Sequence, residues 1–149
     1  MQLAEQDIDI REQPPISLAF LGDGVLELLV RSRLVRRTRL QPNELHRTAV
    51  KFVSAKGQSA ALAVIEPMLT ERELNVVRRG RNASKAAVAK HATAAEYRAS
   101  TAFEALIGWL FLTRQYERLT FLVSKGFAAA GEIGGNNEKE GTGDQDHEI

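Results

Sequence analysis

Two acidic side chains lie inside apolar runs of the sequence, far apart along the chain. Asp23 sits within residues 19–28, AFLGDGVLEL, and Glu104 sits within residues 100–109, STAFEALIGW. An ionised carboxylate in apolar surroundings is strongly unfavourable unless it is paired or holds a metal. If the two acids meet in space, their oxygen ligands would suit a hard divalent cation such as Mg²⁺.

Glu104 is the harder of the two to explain by its neighbours. It is the only charged residue between Ala99 and Leu112, and small residues occupy the positions one turn away. Either a distant Arg or Lys neutralises it, or a metal ion does. Glu27 differs, because Arg31 follows four residues later in the order that favours an ion pair on a helix surface.

A cluster of basic residues forms the second candidate site. Three arginines surround Gly80 in the segment 78–81, and Lys85 and Lys90 follow. Arginine forks match phosphate geometry, so the cluster favours phosphate binding over simple stabilisation of a helix C-terminus. Magnesium beside a basic surface points to phosphodiester chemistry.

The charge distribution supports this interpretation. Residues 31–98 carry a net charge of +10, between acidic ends of −5 and −4, although the whole chain is only +1. Such asymmetry is typical of a protein that binds a polyanion. The alternative is a set of solvated helix faces balanced by nearby acids.

Apolar residues recur at spacings of three and four, which predicts an all-α fold. One domain is predicted over residues 16–130, between an extended segment (1–15) and a disordered acidic tail (131–149). Helices are predicted over about 16–36, 42–65 with a possible break at 56–57, 71–79, 95–112 and 115–130. A basic, mobile loop is predicted over 80–92.

The composition narrows the class of protein. The 149 residues include no cysteine, which excludes disulfides and thiolate metal sites and is typical of a reducing compartment. No signal peptide or membrane span is apparent, so we expect a soluble, cytoplasmic protein. Phosphate-loop, zinc-protease and nucleophile-elbow motifs are missing, and the three histidines are scattered singly.

Several segments together resemble the ribonuclease III family. FLGD (20–23) followed by VL (25–26) is similar to the family signature, and FEALIG (103–108) is similar to its second acidic motif. The small size, the lack of a following double-stranded-RNA-binding domain and further segments resemble the short bacterial branch, mini-ribonuclease III. Those segments are NELH (43–46), VSAK (53–56), RGRNA (79–83) and YRASTAFEAL (97–106).

The resemblance, over about residues 16–128, implies a helical, homodimeric endonuclease. It would cut double-stranded RNA with Mg²⁺, one strand per protomer, and mature the precursor of large-subunit (23S) ribosomal RNA. Asp23 and Glu104 match the essential acids of the two motifs and would be the catalytic and metal-binding residues. Phe20 matches an aromatic residue that packs across the dimer interface in longer relatives.

The sequence departs from full-length ribonuclease III at two acidic positions. Ala19 replaces a glutamate four residues before the signature aspartate, and Thr101 replaces an aspartate three residues before the second glutamate. With fewer charged ligands, magnesium should be held more loosely, and waters and substrate phosphate would complete its octahedral shell.

The basic middle of the chain is expected to bind the RNA backbone. The predicted contacts are Lys51, Lys56, Arg78, Arg79, Arg81, Asn82, Lys85, Lys90 and Arg98. The alternative to an enzyme is a catalytically silent RNA-binding or ribosome-assembly module on the same fold. A helical DNA-binding or protein-interaction domain is the third possibility.

Overall fold

The structure is a computed structural model that describes residues 9–85 and 92–135, with side chains as far as residue 130. Over this part of the chain it contains helices and no strand, which confirms the all-α prediction. The six α-helices are α1 (Pro15–Arg37), α2 (Pro42–Val53), α3 (Ala55–Ile65), α4 (Glu71–Ala83), α5 (Ala94–Leu112) and α6 (Tyr116–Gly135). Two short 3₁₀ turns cover Ile10–Glu12 and Glu66–Met68. None of the helices described is long and apolar enough to cross a membrane.

Helix α5 forms the centre of the molecule. Its sequence is apolar or small almost all round, and Phe103, Leu106 and Leu110 have no exposed surface. The helices α1, α3, α4 and α6 pack around it. A helix that is apolar on every side is stable only when it is surrounded in this way, so the sequence of α5 dictates its central place.

Two glycines allow α1 and α5 to cross in close contact. A Cβ atom added to Gly22 would overlap the carbonyl oxygen of Glu104, and one added to Gly108 would overlap that of Leu18. Because only glycine permits such an approach, these residues bring the backbones of the two helices together. The crossing places Asp23, the residue after Gly22, beside the turn of α5 that carries Glu104.

The break between α2 and α3 lies at Ser54, two residues before its predicted position. The Ser54 hydroxyl accepts a hydrogen bond from the backbone N–H of Gly57 (3.1 Å) and so caps α3. Gly57 itself lies inside α3, where a side chain would overlap the carbonyl oxygens of Lys51 and Phe52. The glycine therefore marks a close contact between two helices, and the helix does not break there.

Helix α4 also differs from its prediction. Its capping box is as expected, because Glu73 accepts from the Thr70 N–H (2.8 Å) and Thr70 accepts from the Glu73 N–H (3.2 Å). The helix continues to Ala83, so the predicted loop over 80–92 is wrong at its start. Gly80 is buried against Ala102 and Ala105 of α5, and it is the site of a helix contact. Residues 86–91 lie outside the described residues.

The structure also differs from the prediction at both ends of the chain. The predicted extended segment 1–15 includes the 3₁₀ turn Ile10–Glu12, and Pro15 already belongs to α1. Helix α6 runs to Gly135, so the first five residues of the predicted disordered tail are helical. Residues 1–8 and 136–149, on which the rest of these two predictions falls, lie outside the described residues.

Candidate active site

The α1–α5 crossing brings Asp23 and Glu104 to one place. Asp23 lies at the exposed edge of α1, and Glu104 lies partly buried on α5, next to the backbone of Gly22. Burial is the main cause of the raised pKa of Glu104, and the negative charge of Asp23 raises that pKa further. Two acids separated by 81 positions in the sequence thus share one electrostatic site.

Glu104 is held by an amide rather than by a basic residue. Gln58 of α3 donates from Nε2 to Glu104 Oε1 (2.8 Å) and to the carbonyl oxygen of Val53 (2.9 Å). Because both partners are acceptors when Glu104 is ionised, the amide nitrogen must face them. Gln58 is 1% exposed. Of the two alternatives for Glu104, an ion pair with an Arg or Lys is not found within the residues described.

The surroundings shift the pKa of both acids upwards. Burial raises the pKa of Glu104 to about 7, against the lowering effect of the Gln58 hydrogen bond and with a further increase from the charge of Asp23. Burial and the charge of Glu27 raise the pKa of Asp23. Glu27 itself pairs with Arg31 at 3.2 Å, as predicted. Glu104 therefore holds its proton more tightly than an ordinary glutamic acid, and a cation that binds here must replace that proton.

The residues at the crossing fit a hard divalent cation. The amide oxygen of Gln58 is buried and has no hydrogen-bond partner among the residues described. Carboxylate oxygens, as in Asp23 and Glu104, and amide oxygens, as in Gln58, are the ligand types that Mg²⁺ prefers. No group of three or more His, Asp or Glu residues in the described part of the chain could hold a metal. A cation here would depend on water and substrate phosphate for the rest of its shell.

The structure explains why the two departures from the full-length family do not add ligands. Ala19 is 5% exposed and packs in the core with Leu18 and Ala105. Thr101 is 8% exposed. Its hydroxyl donates to the carbonyl oxygen of Tyr97 (3.1 Å) and lies 3.3 Å from the hydroxyl oxygen of Ser84. Both positions therefore belong to the packing of α1 and α4 against α5.

The predicted RNA contacts on α4 lie on the exposed side of this helix, opposite the buried Gly80. Arg79 and Asn82 are exposed. Arg78 donates to Asn75 Oδ1 (2.7 Å), and Arg81 forms an ion pair with Glu66 (2.8 Å). The guanidinium groups of Arg78 and Arg81 are therefore both engaged within the chain, and that of Arg81 has a charged partner.

The remaining predicted contacts that the structure describes lie on α2, α3 and α5 and just after the end of α4. The hydrogen bonds with Thr93 lower the pKa of Glu96 at the start of α5, and the charge of Lys56, in the first turn of α3, lowers it further. Lys51, Lys85 and Arg98 are exposed. Lys90 lies outside the described residues.

Phe20, the predicted interface residue, is 85% exposed. Three other apolar residues of α1, namely Ile16, Leu28 and Val35, are 49%, 67% and 68% exposed. Their spacings of four, eight and seven residues place them on one face of the helix. We call this set the apolar stripe of α1. Their shared face makes the stripe a candidate interaction site.

Sequence reasoning missed Gln58, although a signal was present. In α3 the buried residues Ala61, Leu62 and Ile65 lie three, four and seven positions after it. Gln58 therefore occupies the core register of an otherwise small and apolar helix. A neutral amide at such a position needs polar partners, and the partners here are Val53 and Glu104.

Comparison with known proteins agrees with these observations. Residues 16–115 match the ribonuclease III domain family. The chain is 45% identical over 128 residues to the mini-ribonuclease 3 of Brevibacillus brevis, covering 86% of this chain and 96% of that protein. It is 51% identical over 107 residues to the mini-ribonuclease 3 of Symbiobacterium thermophilum, covering 72% and 82%.

A solved structure has the same fold. The crystal structure of a protein from Fusobacterium nucleatum superposes with a TM-score of 0.74 at 28% identity, covering 85% of this chain and 99% of that one. The matched family and the curated relatives each cover most of the helical domain. The chain therefore belongs to the ribonuclease III family, in its mini-ribonuclease III branch, and is an endoribonuclease.

Proposed function

We propose that this protein is a Mg²⁺-dependent, homodimeric endonuclease that processes the double-stranded regions of large-subunit ribosomal RNA precursor in the cytoplasm. The observation that carries the catalytic part of the proposal is the meeting of Asp23 and Glu104 at the α1–α5 crossing. The raised pKa of Glu104 and the unpartnered amide oxygen of Gln58 support a cation at the same place. The ribosomal substrate is the one that the resemblance to the mini-ribonuclease III branch implies.

In this proposal, the carboxylates of Asp23 and Glu104 would hold the metal ion beside the scissile phosphate. A bound magnesium ion would neutralise charge on the scissile phosphate and lower the pKa of the attacking water. Asp23 presents its carboxylate from the exposed edge of α1, where RNA can approach. Glu104 is fixed through Oε1 by Gln58, which leaves Oε2 free to bind the ion. Exposed Arg79, Lys85 and Arg98 would contact the RNA backbone.

The proposal is tested by cleavage assays on four substrates: a labelled RNA duplex, the same strand alone, the matching DNA duplex, and a 23S precursor transcript. We expect cleavage of the RNA duplex and of the precursor, loss of cleavage after chelation, and recovery on addition of Mg²⁺. Cleavage that survives chelation would exclude the metal dependence. Cleavage of the simple duplex without cleavage of the precursor would exclude the ribosomal substrate and leave the chemistry intact.

Gln58→Met is expected to weaken metal binding and slow cleavage about 10–100-fold, as is usual when the partner of a metal ligand is lost. Methionine has a similar length but can neither hold Glu104 Oε1 nor offer the amide oxygen. Isothermal titration with Mg²⁺ measures the metal affinity without RNA, and single-turnover cleavage measures the rate.

Gln13→Met is the matched control, because the Gln13 side chain makes no hydrogen bond among the described residues. Unchanged Mg²⁺ affinity and cleavage in Gln58→Met would show that Gln58 serves only the packing of α3. Thermal unfolding of each variant separates this outcome from a general loss of stability.

A further inference from the structure

The most arginine-rich part of the chain has no role in the site described above. Residues 31–39, RSRLVRRTR, include five arginines, and no acidic residue occurs between Glu27 and Glu44. Arg31 is paired with Glu27. The other four, Arg33, Arg36, Arg37 and Arg39, are exposed and make no ion pair within the described residues. We call these four residues the arginine surface.

Helix α1 presents the arginine surface at its C-terminal end. Leu34 is the last buried residue of the helix, and the final turn is exposed on all sides. Arg33, Arg36 and Arg37 are spaced three and four residues apart, so they share one face. Arg39 follows just after the helix.

Stabilisation of the helix end does not account for this concentration of charge. One or two cations in the last turn suit the negative end of the helix dipole, and Arg36 and Arg37 supply them. Arg33 and Arg39 add like charge and form no ion pair with an acid of the described residues, and such like charge destabilises the free protein. An anionic ligand would remove that cost.

The position of the surface suits the backbone of an RNA duplex. Arg33 and Arg37 lie 10 and 14 residues after Asp23 on the same helix, which corresponds to about 15–21 Å along its axis. A duplex that rests on Asp23 and Glu104 can extend that far, since double-stranded-RNA modules contact about 16 base pairs. The arginine surface faces away from the apolar stripe of α1, as Leu28 and Val35 occupy another side of the helix. It stays accessible when the stripe is covered.

We infer that the arginine surface is a second RNA-binding surface, which grips phosphates of the duplex away from the acids and takes no part in bond cleavage. The inference rests on the proposed function for its ligand class. Guanidinium groups bind phosphate in a bidentate manner. Loss of the arginine surface should therefore weaken binding of the RNA duplex and make that binding less dependent on salt. The cleavage rate of the bound complex, kcat, should stay unchanged.

The test compares two triple variants with the same change in charge. Arg33→Gln/Arg36→Gln/Arg37→Gln removes most of the arginine surface, and Arg72→Gln/Arg114→Gln/Lys125→Gln removes three exposed cations elsewhere. Binding of a labelled RNA duplex in EDTA is measured by fluorescence anisotropy over a range of KCl concentrations. Cleavage with Mg²⁺ gives KM and kcat, and circular dichroism checks the fold.

The first variant should bind the duplex at least about tenfold more weakly, with a log–log salt slope reduced by on the order of 2–3 units for three lost phosphate contacts. Its KM should rise while kcat stays within about twofold of wild type, because the acids are untouched. Equal effects of the two triple variants would overturn the inference in favour of net charge alone. A fall in kcat with constant KM would also overturn it. Failure of the proposed function appears separately, as wild-type protein that does not cleave the duplex.

Discussion

Replacing Glu104 with glutamine is expected to abolish cleavage and, at the same time, to stabilise the metal-free protein above neutral pH. The cleavage rate should fall by more than about a hundredfold, because even the outer partners of metal ligands account for 10–100-fold. The amide still accepts the hydrogen bond from Gln58, so the fold is preserved. The variant therefore separates the chemical role of Glu104 from its structural one.

The direction of the stability change follows from the raised pKa. Glu104 titrates at about 7 in the folded protein, against 4.5 for the unperturbed side chain. Between these values the folded state binds more protons than the unfolded state, so the free energy of unfolding decreases as the pH rises. The loss is on the order of 3 kcal/mol across this window. Glutamine cannot ionise, so its variant should not show that loss.

Urea unfolding in EDTA at pH 5, 6, 7 and 8 measures the effect. Wild-type stability should fall over this range, and Glu104→Gln should flatten the profile and be the more stable protein at pH 8. Glu117→Gln is the control, because that acid is exposed on α6 and forms no ion pair within the described residues. A Glu104→Gln profile as steep as wild type would show that Glu104 is not the group that titrates. Cleavage by Glu104→Gln at the wild-type rate would show that Glu104 is not part of the active site.

Asp23→Asn should also abolish cleavage, but with a smaller change in stability. Asp23 is more exposed than Glu104, so its own ionisation costs the fold less. Its charge raises the pKa of Glu104, and the substitution should therefore lower that pKa. Measurement of the pH profile in Asp23→Asn and in the double variant gives the coupling between the two acids.

Asp23 and Glu104 could be predicted from the sequence, whereas Gln58, which holds Glu104, could not. A lone acid in an apolar helix is conspicuous because its burial is costly, and this drew attention to Asp23 and Glu104. Gln58 carries no charge, and its partner lies 46 positions away. Only the packing of α3 against α5 brings them together.

The glycines show the same limit of sequence reasoning. Gly57 and Gly80 look like helix breakers, because glycine lowers helix propensity by about 1 kcal/mol. In the structure each allows a close contact with another segment of the chain, which outweighs the local preference. The predicted start of α3 and the predicted end of α4 were wrong for this reason. The end of α6 was missed because its final turn is rich in glycine.

Replacing Phe20 with aspartate is expected to convert the proposed homodimer into a monomer. Phe20 is 85% exposed in the single chain and belongs to the apolar stripe of α1. Burial of a Phe side chain contributes about 1.5–3 kcal/mol, and a two-fold interface contains the residue twice. The substitution should therefore raise the dimer dissociation constant by on the order of 10²–10⁴-fold. An unpaired carboxylate at the interface adds to the effect.

Sedimentation velocity over a range of protein concentrations measures the association. Phe121→Asp is the matched control, since Phe121 is an aromatic residue of α6 that is 43% exposed. Each protomer is expected to cut one strand, so Phe20→Asp should raise the ratio of nicks to double-strand breaks on a duplex labelled in both strands. The acids remain in place in the monomer, because α1 still crosses α5 at Gly22. A dimer that survives Phe20→Asp and dissociates with Phe121→Asp would place the interface on α6.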